Sequence, residues 1–198
     1  SQKKSTTTSV SSKGGVQLTP FEINVANYEE NMHFFLSQYF RSKYDAAMRT
    51  LPNMTTGVTI NRVEVWVTNK TGTATNTRNI VALTDLGENK KVSNPMWGVT
   101  GQAVPSNTAN SEYQTITTAY ADARNIDATT STLDGAGLVG GTDYEKLESA
   151  RLLSPSEYTL NSALGYVSRR TTLQSDQVLA VAYEYTYGGM TYQVGEIA

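Results

Sequence analysis

Apolar and polar residues alternate most strictly near the C-terminal end, in "VLAVAYEYTYGGMTYQV" from Val178 to Val194. Gly188 and Gly189 separate two runs of period two, and a Gly-Gly connection suits a primed hairpin turn, whose central residues need positive φ. The register this fixes sets Tyr187 opposite Met190, Tyr185 opposite Tyr192 and Tyr183 opposite Val194, with Val181 and Leu179 continuing that face. Glu184 and Thr186 face Gln193 and Thr191 on the other side. The pattern predicts a half-buried antiparallel ribbon. Its tyrosine-rich face can pack on the domain's own core, stack on sugars or lie at a membrane interface, and packing on the core is the preferred reading.

Helical spacing governs "NYEENMHFFLSQYFRSKYDAAMRTLP", residues 27–52. Asn27 with Glu30 three residues on forms a capping-box pattern, Met32, Phe35, Leu36, Tyr39, Lys43, Ala47 and Leu51 recur along one face, and Pro52 ends the run. The spacing predicts one long amphipathic helix, with Phe34 and Phe40 widening its apolar surface. "TINRVEVWVTN" (59–69) reads as a strand with Val63, Val65 and Val67 inward and Glu64, Trp66 and Thr68 outward, and "NIVALTDLG" (79–87) as a second strand after a polar loop. Residues 92–112 read as irregular surface. Tyr113, Ile116, Tyr120, Ala123 and Ile126 suggest a possible second helix, and 127–142 reads as loop. "DYEKLESARLL" (143–153) fits helix or strand, with strand preferred for its neighbours. Tyr158 and Leu160, a turn over 161–163, then Leu164, Tyr166 and Ser168 continue a short meander toward the terminal hairpin. The expected fold class is therefore α+β: an antiparallel β-rich domain, sandwich or meander-like, with one long helix and a possible second.

Composition narrows the chemistry. The chain of 198 residues can bury a core, and one domain is expected over residues 20–198. Residues 1–19, rich in Ser, Thr, Lys and Gly, read as a flexible linker. A net charge of −2, from 16 basic and 18 acidic residues, gives no electrostatic footprint for nucleic acid. With no cysteine and one histidine, thiolate sites, disulfides and multi-histidine metal sites are excluded. No apolar run is long enough for a membrane-spanning helix, so direct membrane insertion is not expected. A start at Ser1 and an end just after a strand suggest a piece of a longer protein.

The motifs that hint at chemistry fail on context. "GAGLVG" (135–140) matches the dinucleotide fingerprint in letters, but "DATTSTLD" before it makes no hydrophobic strand, so a loop is expected. His33 with Glu29, Glu30 and Ser37 resembles a catalytic cluster, yet no nucleophile elbow occurs, and a solvated helix face accounts for it. Asp122, Asp127, Asp134 and Asp143 lack calcium-loop spacing. The sequons at Asn53 and Asn69 are short enough to arise by chance. No catalytic residue, cofactor or metal site is assigned.

Five stretches, "NMHFFLSQYFRSKYDAAM", "TINRVEVWVTNKTG", "RNIVALTDLGE", "GTDYEKLESARLLSPSEYTLNSALGYVS" and "VLAVAYEYTYGGMTYQVGE", together resemble the SprA/Sov family, the outer-membrane translocon of the type IX secretion system of Bacteroidetes, linked to gliding motility. The resemblance implies a non-catalytic domain of a protein that forms a giant transmembrane barrel. It also implies partners: other segments of that barrel, a smaller outer-membrane barrel protein, a plug protein, and secreted cargo with C-terminal sorting domains. The domain would lie outside the cell, preferred by analogy with large insertions between barrel strands, or in the periplasm. Trp66, Trp97, Tyr185 and Tyr192 are the candidate partner contacts. The competing reading is a surface module that binds cargo or glycan through exposed tyrosine and tryptophan rings.

Overall fold

A computed structural model describes residues 29–70, 72 and 75–198. The expected linker over 1–19 and the expected N-cap Asn27 lie outside the described residues. Asn31–Ala198 forms one compact unit.

The long helix is not present. Its first part is a short strand, β1 (His33–Phe35), and only Gln38–Met48, 11 residues, forms the helix α1. Long-range pairing overrides helical spacing here. Strand β6 (Tyr166–Arg169) takes Phe34 opposite Val167 and Phe35 opposite Tyr166, and the Leu36 N–H donates to the Gly165 carbonyl at 2.9 Å. Ser37, in extended backbone, starts the helix without a side-chain cap. The free Gln38 N–H instead donates to Glu88 Oε1 at 2.7 Å, setting a carboxylate where the helix dipole favours one. His33 therefore sits on a strand, with its Nδ1 2.7 Å from Ser168 Oγ, and not on the polar side of a helix.

The remaining elements are β2 (Thr59–Val67), β3 (Thr77–Leu83), α2 (Glu112–Ala119), a 3₁₀ turn over Ala121–Arg124, α3 (Thr129–Gly135), β4 (Tyr144–Leu152), β5 (Tyr158–Asn161), β7 (Leu179–Tyr187) and β8 (Met190–Val194). Described residues form two antiparallel sheets, one of order β3-β4-β2-β7-β8 and one of order β1-β6-β5. Among the described residues the fold is thus β-rich α+β with three short α-helices. The terminal hairpin has the register its alternation predicts, from Tyr183 opposite Val194 to Tyr187 opposite Met190. The meander does not continue into it: β5 and β6 belong to the smaller sheet with β1. Of residues 143–153, Tyr144–Leu152 form strand β4, as preferred.

The main core lies between the β2-β7 face and α1. Phe40 is fully buried, with its ring edge-on to Tyr39, Tyr183 and Tyr185 at centroid distances of 5.4, 6.1 and 6.4 Å. Val65, Val67 and Val167 close around it. Burying a ring of this size contributes about 2–3 kcal/mol. The smaller sheet can approach α1 because Gly165 has no side chain at the point of contact with Phe40.

Two stretches expected as loop are more ordered. Residues 92–112 are irregular but not all surface: Trp97, Val104, Ala109 and Asn110 are buried. Asp85 Oδ2 accepts the Ser93 and Asn94 N–H groups at 2.8 Å each, and the Asn110 amide donates to the carbonyls of Asp85 and Glu88. These bonds replace the ladder a strand would supply. Residues 129–135 form α3, and the "GAGLVG" stretch closes it. Gly137, at φ +86°, donates its N–H to Asp134, Leu138 donates to Leu133, and both leucines are buried in one cluster. That pattern is a Schellman C-cap, which requires glycine for its left-handed residue and needs no nucleotide.

Candidate functional site

Both faces of β2 are covered. Val65 and Val67 face the main core, while Trp66 on the opposite face packs with Leu147, Ala150 and Ala180 and is only 7% exposed. The Arg78 guanidinium lies 5.7 Å from the indole centroid, and the indole N–H donates to Glu64 Oε2 at 3.3 Å. Trp66 is outward with respect to Val65 but is not at the surface, because the β3-β4 ribbon folds over it. Trp97, 5% exposed, packs with Ile116, Ala123, Leu133 and Leu138. Tyr185 is fully buried, and its hydroxyl donates to the Pro105 carbonyl. Tyr192 is half-buried and stacks on Tyr185 at 5.5 Å. The four candidate contact residues therefore form no exposed row of rings.

The feature that could hold a ligand is a cleft of about 1070 Å³, bordered by β1, β3, β7, α2 and the segment after β8. It arises from the way the larger sheet splits. Strand β4 pairs with β3 along most of its length, but meets β2 only at Trp66–Leu152 and Val67–Arg151. From that join the β3-β4 and β2-β7-β8 ribbons diverge. Consecutive residues of β3, Arg78–Leu83, line the cleft, and so do consecutive residues of β7, Leu179–Tyr183. Successive strand side chains point to opposite faces, so an unbroken run along a wall means that the wall includes the strand's backbone edge.

The segment after β8 is fastened beside this cleft by charge. Glu196 takes hydrogen bonds from both Arg124 terminal nitrogens and from the Tyr113 hydroxyl, the last at 3.0 Å. The Arg124 bonds hold the Glu196 carboxyl below the usual range. The Ala198 N–H donates to Glu64 Oε1 at 3.0 Å, and Arg62 donates to both that carboxylate and the Ala198 carbonyl. Two hydroxyls at the cleft wall, on Ser37 and Tyr183, are near neighbours, yet neither completes a hydrogen bond of good geometry. Burial raises the Tyr183 hydroxyl far above its ordinary pKa, so it stays protonated.

Beneath the helices lies a buried acid that sequence reading did not find. Glu112, in the first turn of α2, is 1% exposed, and its Oε2 has no hydrogen-bond partner. Burial, with Asp85 and Asp143 adding like charge, pushes its pKa up to about 8, so it is neutral at pH 7. Among the described residues, no group of three or more His, Asp or Glu side chains could hold a metal ion. The four aspartates weighed for calcium serve other ends where bonds are seen: Asp134 accepts the Tyr144 hydroxyl at 2.7 Å, and Asp143 accepts the Val139 N–H at 2.8 Å. No helix among the described residues is long and apolar enough to cross a membrane.

A family model described as "motility related/secretion protein" matches residues 1–174, and no curated protein matches the chain. The matched span takes in every described element from β1 to β6, and the hairpin β7-β8 follows it. The match covers well over half of the sequence, and the chain belongs to the SprA_N family of motility related/secretion proteins.

Proposed function

We propose that this chain is a non-catalytic structural domain of the outer-membrane translocon of a type IX secretion system, supporting export of folded cargo and gliding motility. The observation that carries the reading is the family match over residues 1–174, which ties the chain to motility and secretion. The proposed partners are other segments of the parent barrel, a smaller barrel protein, a plug protein and the exported cargo. An extracellular position is preferred over a periplasmic one. Burial of Trp66, Trp97 and Tyr185 favours the structural reading over a glycan-binding module, which needs coplanar rings open to solvent.

The test is export in cells whose parent protein lacks this domain, with parent abundance in the outer membrane measured in parallel. Normal parent levels with cargo held in the periplasm are expected. Normal export with failed attachment of cargo to the cell surface would overturn the reading in favour of a binding module.

A further inference from the structure

A second place for a ligand lies in the smaller sheet, outside the lining of the cleft. Residues two apart on a strand share a face. On β6, Val167 is fully buried in the main core, so Arg169 projects from the core-facing side. Across the ladder Leu160 stands opposite Val167 and Tyr158 opposite Arg169, and both of these partners pack against that core. Arg169 is accordingly only 6% exposed. Its backbone N–H donates to the Met32 carbonyl at 2.8 Å, which fixes the strand at this point.

The charge in this position is left without enough partners. A guanidinium has five N–H donors and keeps its proton in proteins. Arg169 Nε and Nη1 are buried with no hydrogen-bond partner, and Nη2 reaches only Thr171 Oγ1, at 3.4 Å. The charges that act on it are Arg151, of like sign, and Glu157, of opposite sign. Glu157 is already committed: both its oxygens accept from Arg151 Nη1 at 2.9 Å, and one accepts from the Ser154 N–H at 2.8 Å. Two guanidiniums thus share one carboxylate, and a positive charge remains. An uncompensated buried charge is strongly destabilising, whereas an apolar side chain of similar volume is often neutral or stabilising at such a site. Packing alone therefore gives no reason for an arginine here, and an anionic ligand gives one.

We infer that Arg169, with Arg151 and Thr171, binds one carboxylate group, carried by a small acid or by an acidic side chain of a polypeptide. The planar fork of a guanidinium matches a carboxylate in geometry. One negative charge is also what the surplus requires, and a phosphate, with nearly two, exceeds it. Entry is past the Arg151–Glu157 pair, whose side chains are 32% and 39% exposed, so rotation of that pair opens the site. The inference rests on the charge balance around Arg169 and not on the export reading, so the two fail independently.

The experiment compares the full chain in sodium acetate and in sodium chloride at equal ionic strength, read by urea unfolding and by the NMR signal of the Arg169 Nε–H. Acetate should move that signal saturably. Above its dissociation constant, each tenfold rise in acetate should lower the unfolding constant about tenfold. The blocked tripeptide acetyl-Gly-Glu-Gly-amide separates the sources. Binding that is lost in its Gln analogue means that side-chain carboxylates are accepted, and binding of acetate alone means a small acid; either supports the site. Arg169→Met should abolish the acetate effect, which separates the site from a general salt effect, and should leave the unfolding constant without acetate unchanged or lower. A variant about tenfold or more less stable without acetate would show a structural role and overturn the inference. If that variant folds poorly for any reason, the saturable Nε–H shift in the parent decides, and its absence overturns the inference as well. The chain's own acids are the competing occupants: Glu157 by rotation, or Glu22, the one acid among residues 1–28. An acetate effect that emerges only in Glu157→Gln or Glu22→Gln would mean that the chain supplies its own carboxylate, and phosphate acting where acetate does not would exclude a carboxylate site; both overturn the inference.

Discussion

Gly165→Ala is the sharpest test of how the two sheets and α1 meet. At Gly165 the backbone is left-handed, φ +67°, and an added Cβ would stand 2.1, 2.3 and 2.5 Å from Phe40 Cδ1, Cγ and Cε1. The ring cannot swing away, since Phe40 is fully buried against Tyr39, Tyr183 and Tyr185. An L-residue in the left-handed region costs about 1–2 kcal/mol. Forcing a methyl into a filled core adds about 1–3 kcal/mol. A loss of about 2–5 kcal/mol is expected, a large share of the ~5–15 kcal/mol of a typical domain. Urea unfolding followed by tryptophan fluorescence measures it, with an unchanged m-value showing that stability alone has moved. Phe40→Ala alone should cost about 3–5 kcal/mol through the cavity it leaves. The double variant should be less destabilised than the sum by about 1–3 kcal/mol, because the clash is gone and only the backbone cost of the Gly165→Ala change remains. Strict additivity, or a Gly165→Ala variant within about 0.5 kcal/mol of the parent, would refute the packing argument.

Gly188→Ala should cost only about 1–2 kcal/mol, since φ is +58° but nothing lies within 4 Å, whereas Gly87→Ala, whose Cβ would stand 2.8 Å from Val194 Cγ1, should cost more; thermal melts rank the pair. Glu112 has its folded pKa raised from 4.5 to about 8, so its neutral form is bound by the fold: stability should fall as pH rises from about 4.5 toward 8, at up to about 1.4 kcal/mol per pH unit, and Glu112→Gln should flatten that slope. Glu196→Gln should speed amide exchange over Gly195–Ala198 while shifting global stability by about 1 kcal/mol or less, the pair with Arg124 being solvent-exposed. Acrylamide should quench native tryptophan fluorescence weakly and unfolded fluorescence strongly, and strong native quenching would contradict the burial of Trp66 and Trp97.

Locally determined parts of the fold were legible. The β7-β8 register follows from two glycines and a period of two, because a hairpin's partner residues are near in sequence. Strand β2 matches its expected span to within two residues, and the stretch over 143–153 resolved to strand. Long-range competition was not legible. Met32, Phe35 and Leu36 fit a helical face, but Phe34 pairs opposite Val167 and the Gly165 carbonyl takes the Leu36 N–H, and neither partner is visible from residues 27–52. Helix α3 was hidden for a different reason. "TTSTLDG" is poor in strong helix formers, and its order comes from the burial of Leu133 and the cap at Gly137.

The candidate site was the least legible part, and the tyrosines explain why. An alternating aromatic face suggests recognition by rings, but here the rings serve the core: Tyr185 donates to Pro105, Tyr144 to Asp134 and Tyr113 to Glu196, so these phenolic tips already have internal partners. The cleft was hidden for a related reason: it is defined by where β8 stops along β7 and where β4 parts from β2, and neither point has a residue signature, because each depends on pairing between strands distant in sequence.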